Sequence, residues 1–423
     1  MNSKALNIYK VSWYSYLYLF MIILYAGQPY GLDSLVFAHG IDLPFIIPPL
    51  MTVILLIRNR VNFGNKQFLT VLCVLTFWFL LQYIYREGKI NITLTAYHYY
   101  QLVLCFIIVQ VFRDKLFYVY EDIVYKLAVL SLVLWSISLV IPHAMAGVFN
   151  LLGNGTSISE GTIYVYSMMR LDHIQGLLIR NAGFAWEPGR YSCFLCLAIF
   201  CNFLINNYRL EKNRRLWVFL LALLTTQSTT GIFTLMVLMI IFLFNKEVKN
   251  RFLWLVLLIP LSVYMYTLDF AGDKLKDSMS RVERATELDY VYYGEGGYSL
   301  DRIESFVVEW NNFLHDPILG YCEPRHSALT KSVGEGFYTN NGTMHMLAKY
   351  GLLGLLYYFC IFFSSKRISR RFKDRVPIAF LLLYICFSMS YNYDQIVLIM
   401  AFSFWGLFVP PKSLQENTLS SVS

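Results

Sequence analysis

Long apolar runs alternate with short polar stretches along the chain, at roughly 11–26, 35–57, 67–85, 96–112, 123–142, 189–206, 216–228, 231–245, 252–268, 342–364, 376–391 and 395–409. Runs of this kind are long enough to cross a hydrocarbon layer ~30 Å thick as helices. The pair around TTQSTTG is the weak point, since each half would be only about 20 Å long as a helix. The polar stretches decide the count. Lys and Arg collect in RNRVNFGNK, YRLEKNRR, NKEVKNR and SKRISRRFKDR. Two spans around TTQSTTG place all of these on the side of the N-terminus. One span would send SKRISRRFKDR to the other side, against the bias that keeps cations cytoplasmic. The pattern predicts an all-α fold: a polytopic transmembrane helical bundle of about 12 spans, both termini cytoplasmic, with Thr225 to Gly231 as a polar turn at the outer face.

This count divides the chain into an N-terminal bundle of five spans (1–142), an outer loop (143–188), spans 6 to 9 (189–268), a large outer loop with an interfacial helix (269–341), and spans 10 to 12 with a cytoplasmic tail (342–423). A loop as long as the second usually has its own structure and function. Both outer, periplasmic loops are therefore expected to be structured and to contain short amphipathic helices. In the second, Ile303, Phe306, Val307, Trp310 and Leu314 recur at helical spacing. Asp301 with Glu304 fits a capping box, and Asp316-Pro317 stops the helix. Beside a bilayer such a helix would lie flat in the interface.

Composition agrees with this class. The 423 residues are 57% apolar and 15% charged, against roughly half and a quarter in a soluble domain. The net charge of +8 is explained by the orienting loops, so no nucleic-acid partner is expected. The first run lies behind Lys4 and Lys10 and no A-x-A-like cleavage site follows, which predicts an uncleaved first span. Seven of the eight cysteines lie in apolar runs, where Cys is a small hydrophobe, and Cys193-x-x-Cys196 is read that way. No zinc-ligand spacing occurs, so no metal or cofactor is expected. Span interiors carry few ionisable groups: Lys126 lies near a helix end and Asp394 in a short turn. That weakens an ion-coupled pump, which usually needs such groups along its path.

The candidate chemistry sits in the two outer loops. Arg180 and Arg190 flank Glu187, and Pro188 is placed to start the next span. An interfacial anchor accounts for Trp186 and Arg190, but poorly for Glu187, which gains nothing at an anionic surface. An acid between two cations at a membrane edge suits a lipid-linked phosphate better. Arg302 stands in a first helical turn, where a cation opposes the helix dipole. It is either a surface Arg reaching a carboxylate or a headgroup, or an arginine aimed with the helix N-terminus at an anionic ligand. Downstream, Glu323, Arg325 and His326 share a short polar segment, which is either a solvated loop or a site for phosphate and proton transfer.

Four pieces together resemble the Wzy-type polysaccharide polymerases, sisters of the O-antigen ligases in one superfamily of integral-membrane glycosyltransferases. RNAGFAWEPGRYS resembles the family's R-x-x-G-x-x-x-E-P element at a span entrance, and TTQSTTGIF its turn between two short spans. DRIESFVVEW followed by HDPILGYCEP is similar to its Arg-led amphipathic helix and P-x-x-G turn. In NNGTMHMLAKYGLLG, Asn340 occupies the position where the ligases have His, Asn341 follows, and Gly351 and Gly354 complete the spacing. The missing histidine favours a polymerase over a ligase, with His326 or His345 able to stand in.

The resemblance implies a metal-independent glycosyltransferase of the bacterial inner membrane. It would move a growing O-antigen glycan from undecaprenyl diphosphate onto a lipid-linked repeat unit at the outer face. Its partners are then the undecaprenyl-diphosphate-linked oligosaccharide and membrane lipid, with a chain-length regulator as a candidate protein partner. By the same analogy Arg180 and Arg302 hold the diphosphate, and Arg190 and Arg325 make lesser phosphate or sugar contacts. Glu187 is the first candidate base and His326 the second, while Asn340 and Asn341 position the acceptor sugar. Two alternatives stay open: an O-antigen ligase transferring glycan to the lipid A core, and a flippase for lipid-linked oligosaccharides.

Overall fold

The computed structural model describes residues 11–27, 43–59, 61–142, 144–145, 147–148, 161–163, 165–169, 179–245, 302–323, 341–393 and 396–409. In chain order the elements are α1 (Trp13–Gly27), α2 (Leu43–Asn59), α3 (Lys66–Tyr85), α4 (Ile92–Phe112), α5 (Lys115–Val140), β1 (Gly161–Ile163), β2 (Tyr166–Met169), β3 (Arg180–Asn181), α6 (Pro188–Ile205), α7 (Arg214–Thr225), α8 (Thr229–Asn245), α9 (Arg302–His315), α10 (Gly342–Tyr350), α11 (Leu352–Phe372), α12 (Ala379–Ser388), α13 (Val397–Ser403) and α14 (Trp405–Phe408). Four of them, α3 to α6, are long and apolar enough to cross a membrane. The expected span at 252–268 lies outside the described residues; the other apolar runs carry helices. The antiparallel sheet β1-β2-β3 between α5 and α6 is an addition to the all-α expectation.

The chain folds as two compact units that interleave in sequence: residues 1–60, 114–255 and 371–376 form one, and 61–113, 256–370 and 377–423 the other. In the first unit α6 is the centre, buried from Pro188 to Leu204. Its small residues let neighbouring helices come close, which is how helices associate where the surroundings are as apolar as their side chains. Gly231 on α8 shows the tolerance: a Cβ there would lie 2.6 Å from the Ser192 Cβ. Cys196 Sγ donates to the Gly231 carbonyl at 3.6 Å, so the CxxC pair belongs to this packing.

The two ends of the first unit differ. At one end Arg215 pairs with Glu121 and Asp122, Arg371 with Asp114, and Asn245 Nδ2 donates to Asp374 Oδ1 at 2.7 Å. The basic stretches 209–215 and 371–375 thus meet acids at the start of α5 and beside α8. At the other end the Trp186 amide donates to the Gly27 carbonyl at 3.1 Å, and residues 226–228 turn α7 back into α8. The TTQSTTG region is therefore two short helices and a turn.

In the second unit Phe68 of α3 and Phe106 of α4 stack at 4.2 Å, and both meet the Phe408 ring of α14. Gln110 Nε2 donates to the Phe408 carbonyl at 2.7 Å. The apolar run 342–364 is broken at Gly351, whose φ of +54° and contact with the Ile318 carbonyl exclude any side chain. The break exposes the last carbonyls of α10, which need donors. The segment after α9 supplies them: the Tyr321 amide donates to Ala348 O at 3.0 Å and the Cys322 amide to Lys349 O at 2.9 Å. Arg86 at the end of α3 braces that segment through Asp316 at 2.8 Å and the Gly320 carbonyl at 2.9 Å.

Candidate functional site

Arg180, Glu187 and Arg190 all lie at the same end of the first unit, on separate supports. Arg180 is on β3, whose pairing with β2 sets Met169 opposite Arg180. Trp135 on α5 holds the sheet by donating its Nε1 to the Ile179 carbonyl at 2.7 Å. Arg180 then donates Nε to the Thr226 carbonyl at 3.0 Å and Nη2 to the Gln227 carbonyl at 2.9 Å. These carbonyls end α7, where the helix dipole favours a cation. The bonds use two of the five N–H donors of a guanidinium, and they bring together two of the four motif pieces, RNAGFAWEPGRYS and TTQSTTGIF. Asn181 next to it donates to Thr225 Oγ1 at 3.0 Å, closing the same junction.

Glu187 is the N-cap of α6, with Pro188 behind it in the first turn; its carboxylate makes no capping bond to that helix and is half-buried. Arg190 is buried in the first turn of α6 and donates Nε to the Ala26 carbonyl at 3.1 Å, which ties α6 to the end of α1. Tyr166, a buried phenol on β2, is pushed up to about 12 by burial, so it keeps its proton at neutral pH.

The other candidates belong to the second unit. Arg325, His326 and Asn340 lie outside the described residues. Arg302 begins α9 and is exposed, its guanidinium 6.0 Å from the centre of the Tyr391 ring. Asn341 is the N-cap of α10: its Oδ1 accepts from the Met344 amide at 3.1 Å, and its Nδ2 donates to the Arg302 carbonyl at 3.3 Å. The starts of α9 and α10 are thus bonded to each other, and Ile318 meets Gly351 at their far ends. The two helices run parallel with their positive N-terminal ends side by side and a guanidinium beside them. This is a setting for an anion.

The faces of α9 are disposed in an unexpected way. Ser305, Glu309 and Asn312 are buried, at 0%, 1% and 5% exposure, while Phe306, Trp310 and Leu314 are exposed, at 41%, 41% and 58%. The polar stripe packs on α10 and the apolar stripe faces outward, where a bilayer interface would receive it. On the inner stripe, Glu309 Oε1 lies 2.9 Å from His345 Nδ1 and accepts from the Tyr321 hydroxyl at 3.3 Å. Asn312 Nδ2 donates to Glu309 Oε2 at 3.2 Å, and the Tyr321 hydroxyl lies 2.9 Å from His345 Nδ1. Glu309 and Tyr321 are functional candidates that reading the chain for its apolar stripe passes over. The available signal was the recurrence of Arg302, Ser305, Glu309 and Asn312 at helical spacing.

The same unit holds an apolar cavity of about 730 Å³, lined among others by Val74, Leu75, Leu356, Phe359 and Phe363 and by Tyr350 at the end of α10. Among the described residues, no group of three His, Cys, Asp or Glu is arranged to hold a metal ion.

Residues 216–359 match the family model Wzy_C, described as O-antigen ligase. The matched stretch takes in the Thr225–Gly231 turn, Arg302, Glu309, Asn341 and His345, and stops short of Arg180, Glu187 and Arg190. No curated protein and no solved structure matches the chain.

Proposed function

We propose, for a chain that carries an O-antigen ligase domain of the Wzy_C family at residues 216–359, that it is a polysaccharide polymerase. It transfers a growing glycan from undecaprenyl diphosphate to the end sugar of another lipid-linked repeat unit, at the outer face of the bacterial inner membrane. Both termini are cytoplasmic in this reading, and no metal takes part. The observation that carries it is the meeting of Arg302 with the paired N-termini of α9 and α10. The leaving diphosphate is an anion, and fixed donors at a partly dehydrated edge stabilise the charge that develops on it.

In the second unit Arg302 binds the diphosphate, with Arg325 in a lesser contact; in the first unit Arg180 is proposed as a diphosphate ligand in its own right, with Arg190 as a lesser phosphate or sugar contact. Glu187 and His326 are candidates to accept the acceptor proton, and Asn340 and Asn341 position the acceptor sugar, Asn341 through the helix start it caps. The apolar cavity beside α10 suits a polyprenyl chain.

The test is incubation of the purified protein with its lipid-linked repeat unit in the presence of a chelator. A ladder of longer lipid-linked glycans is expected from the wild type, and little or none from Arg302→Lys, which keeps the charge but loses the bidentate fork. Absence of a ladder from stable wild-type protein would refute the polymerase reading. The description of the family model favours a second reading, an O-antigen ligase. Deleting a polymerase leaves single repeat units on the lipid A core, whereas deleting a ligase leaves long polymer on the carrier lipid.

A further inference from the structure

We infer that His345, in place of the candidates Glu187 and His326, is the general base of the transfer and that Glu309 is its positioning residue; this rests on the polymerase reading. An ionised carboxylate can only accept hydrogen bonds. The 2.9 Å contact between Glu309 Oε1 and His345 Nδ1 therefore puts the imidazole proton on Nδ1 and leaves Nε2 as the basic nitrogen. The Tyr321 hydroxyl, donating to the same Glu309 oxygen, keeps that carboxylate ordered, and Asn312 fixes its other oxygen. Glu309 is buried, whereas the His345 side chain is 13% exposed, so the imidazole has an edge that reaches outward.

Position argues for the same role. His345 is four residues past the Asn341 cap, about 6 Å along α10 at the rise of a helix, and Glu309 is seven residues past Arg302 on the same stripe. Side chains on a helix lean toward its N-terminus. The imidazole is thereby set about one turn behind the paired N-termini, the distance at which a sugar joined to a diphosphate would present its anomeric carbon to an incoming hydroxyl. In the step, the acceptor oxygen bonds to that carbon and the bond from carbon to diphosphate oxygen breaks, its electron pair leaving with the diphosphate. The hydroxyl proton passes to His345 Nε2 and later to water. No oxidation state changes.

The experiment uses the full chain in proteoliposomes and the undecaprenyl-diphosphate-linked repeat unit extracted from cells lacking this protein. His345→Gln is expected to lower kcat by about 10²- to 10⁴-fold with KM and melting temperature little changed. Added imidazole should partly restore His345→Ala. Glu309→Gln should lower kcat less, and the double variant should be no worse than His345→Gln alone, since Glu309 acts through it. If His345→Gln fails to fold, imidazole rescue of His345→Ala and the kcat of Glu309→Gln decide. Normal kcat in His345→Gln, or no rescue of a folded His345→Ala, would overturn the assignment while leaving the polymerase standing. A wild type that builds no ladder from this substrate would instead remove the reading on which the assignment rests.

Discussion

Glu121 and Glu309 are both buried acids on helices of this protein, and they are surrounded differently. Glu121, in the first unit, accepts from the Arg215 guanidinium and from Asn202 Nδ2 at 2.8 Å. Arg215 also holds Asp122, whose carboxylate meets Lys126 at 2.8 Å. Glu309 accepts instead from an imidazole, a phenol and a primary amide. A permanent guanidinium fixes an acid as a charged strut. An imidazole neighbour leaves the acid without a permanent positive partner and can itself take or give a proton in a reaction. Burial alone therefore does not mark a functional acid in this chain; the identity of its partners does.

The comparison can be broken by substitution. The largest effect on activity is expected at Arg302→Lys, read as loss of the ladder, and next at His345→Gln, both in protein that melts as the wild type does. The opposite pattern is expected at Arg215→Ala, which leaves Glu121 buried without its guanidinium. Loss of one partner from a buried pair costs roughly 3 kcal/mol or more, so a lower melting temperature should appear with normal turnover per folded molecule. A turnover loss in Arg215→Ala at unchanged melting temperature would erase the distinction between the two acids.

Arg180→Lys should shorten the polymer strongly, because it also loses the fork that joins β3 to the Thr226 and Gln227 carbonyls. Normal long polymer from stably inserted Arg180→Lys would end its diphosphate role. The smallest effect concerns Asp374, whose carboxyl burial raises above its ordinary value of 3.8. A raised value in the fold means the native state holds the proton more tightly than the unfolded chain. The contribution of this group to stability is full below the ordinary value and is lost as pH rises through the raised one. Asp374→Asn should flatten this part of the melting profile on the acid side of neutrality, and an unchanged slope there would count against it.

Much of the fold was legible because hydropathy and Lys/Arg placement are properties of single stretches of chain. The start of α6 at Pro188, the end of α9 before Asp316-Pro317, and the two short helices around TTQSTTG follow from such local signals. The break at Gly351 did not, since the apolar run is continuous across it. What demands the break is the Ile318 carbonyl, brought there by a segment more than thirty residues earlier. Nor could the bonds of Arg180 be foreseen, because their acceptors are main-chain carbonyls 46 and 47 residues away.

The helix α9 teaches the most. Its existence was written in Phe306, Trp310 and Leu314, yet these are exposed and Glu309 is buried. The rule that apolar side chains mark the packed face holds in water. Beside a bilayer an apolar stripe can face lipid, and the polar stripe then packs inward, where each group needs a partner. His345 was visible as a stand-in for the histidine missing at Asn340, but its partner Glu309 could be found only in the packed structure.

The central claim is tested most directly by a time course with the purified chain, the extracted lipid-linked repeat unit and no added metal, following glycan length and released undecaprenyl diphosphate together. The account predicts a ladder in the wild type, one diphosphate released per bond formed, and neither product from Arg302→Lys. A ladder of wild-type rate and length from Arg302→Lys, or diphosphate release without any lengthening of the glycan, would contradict it.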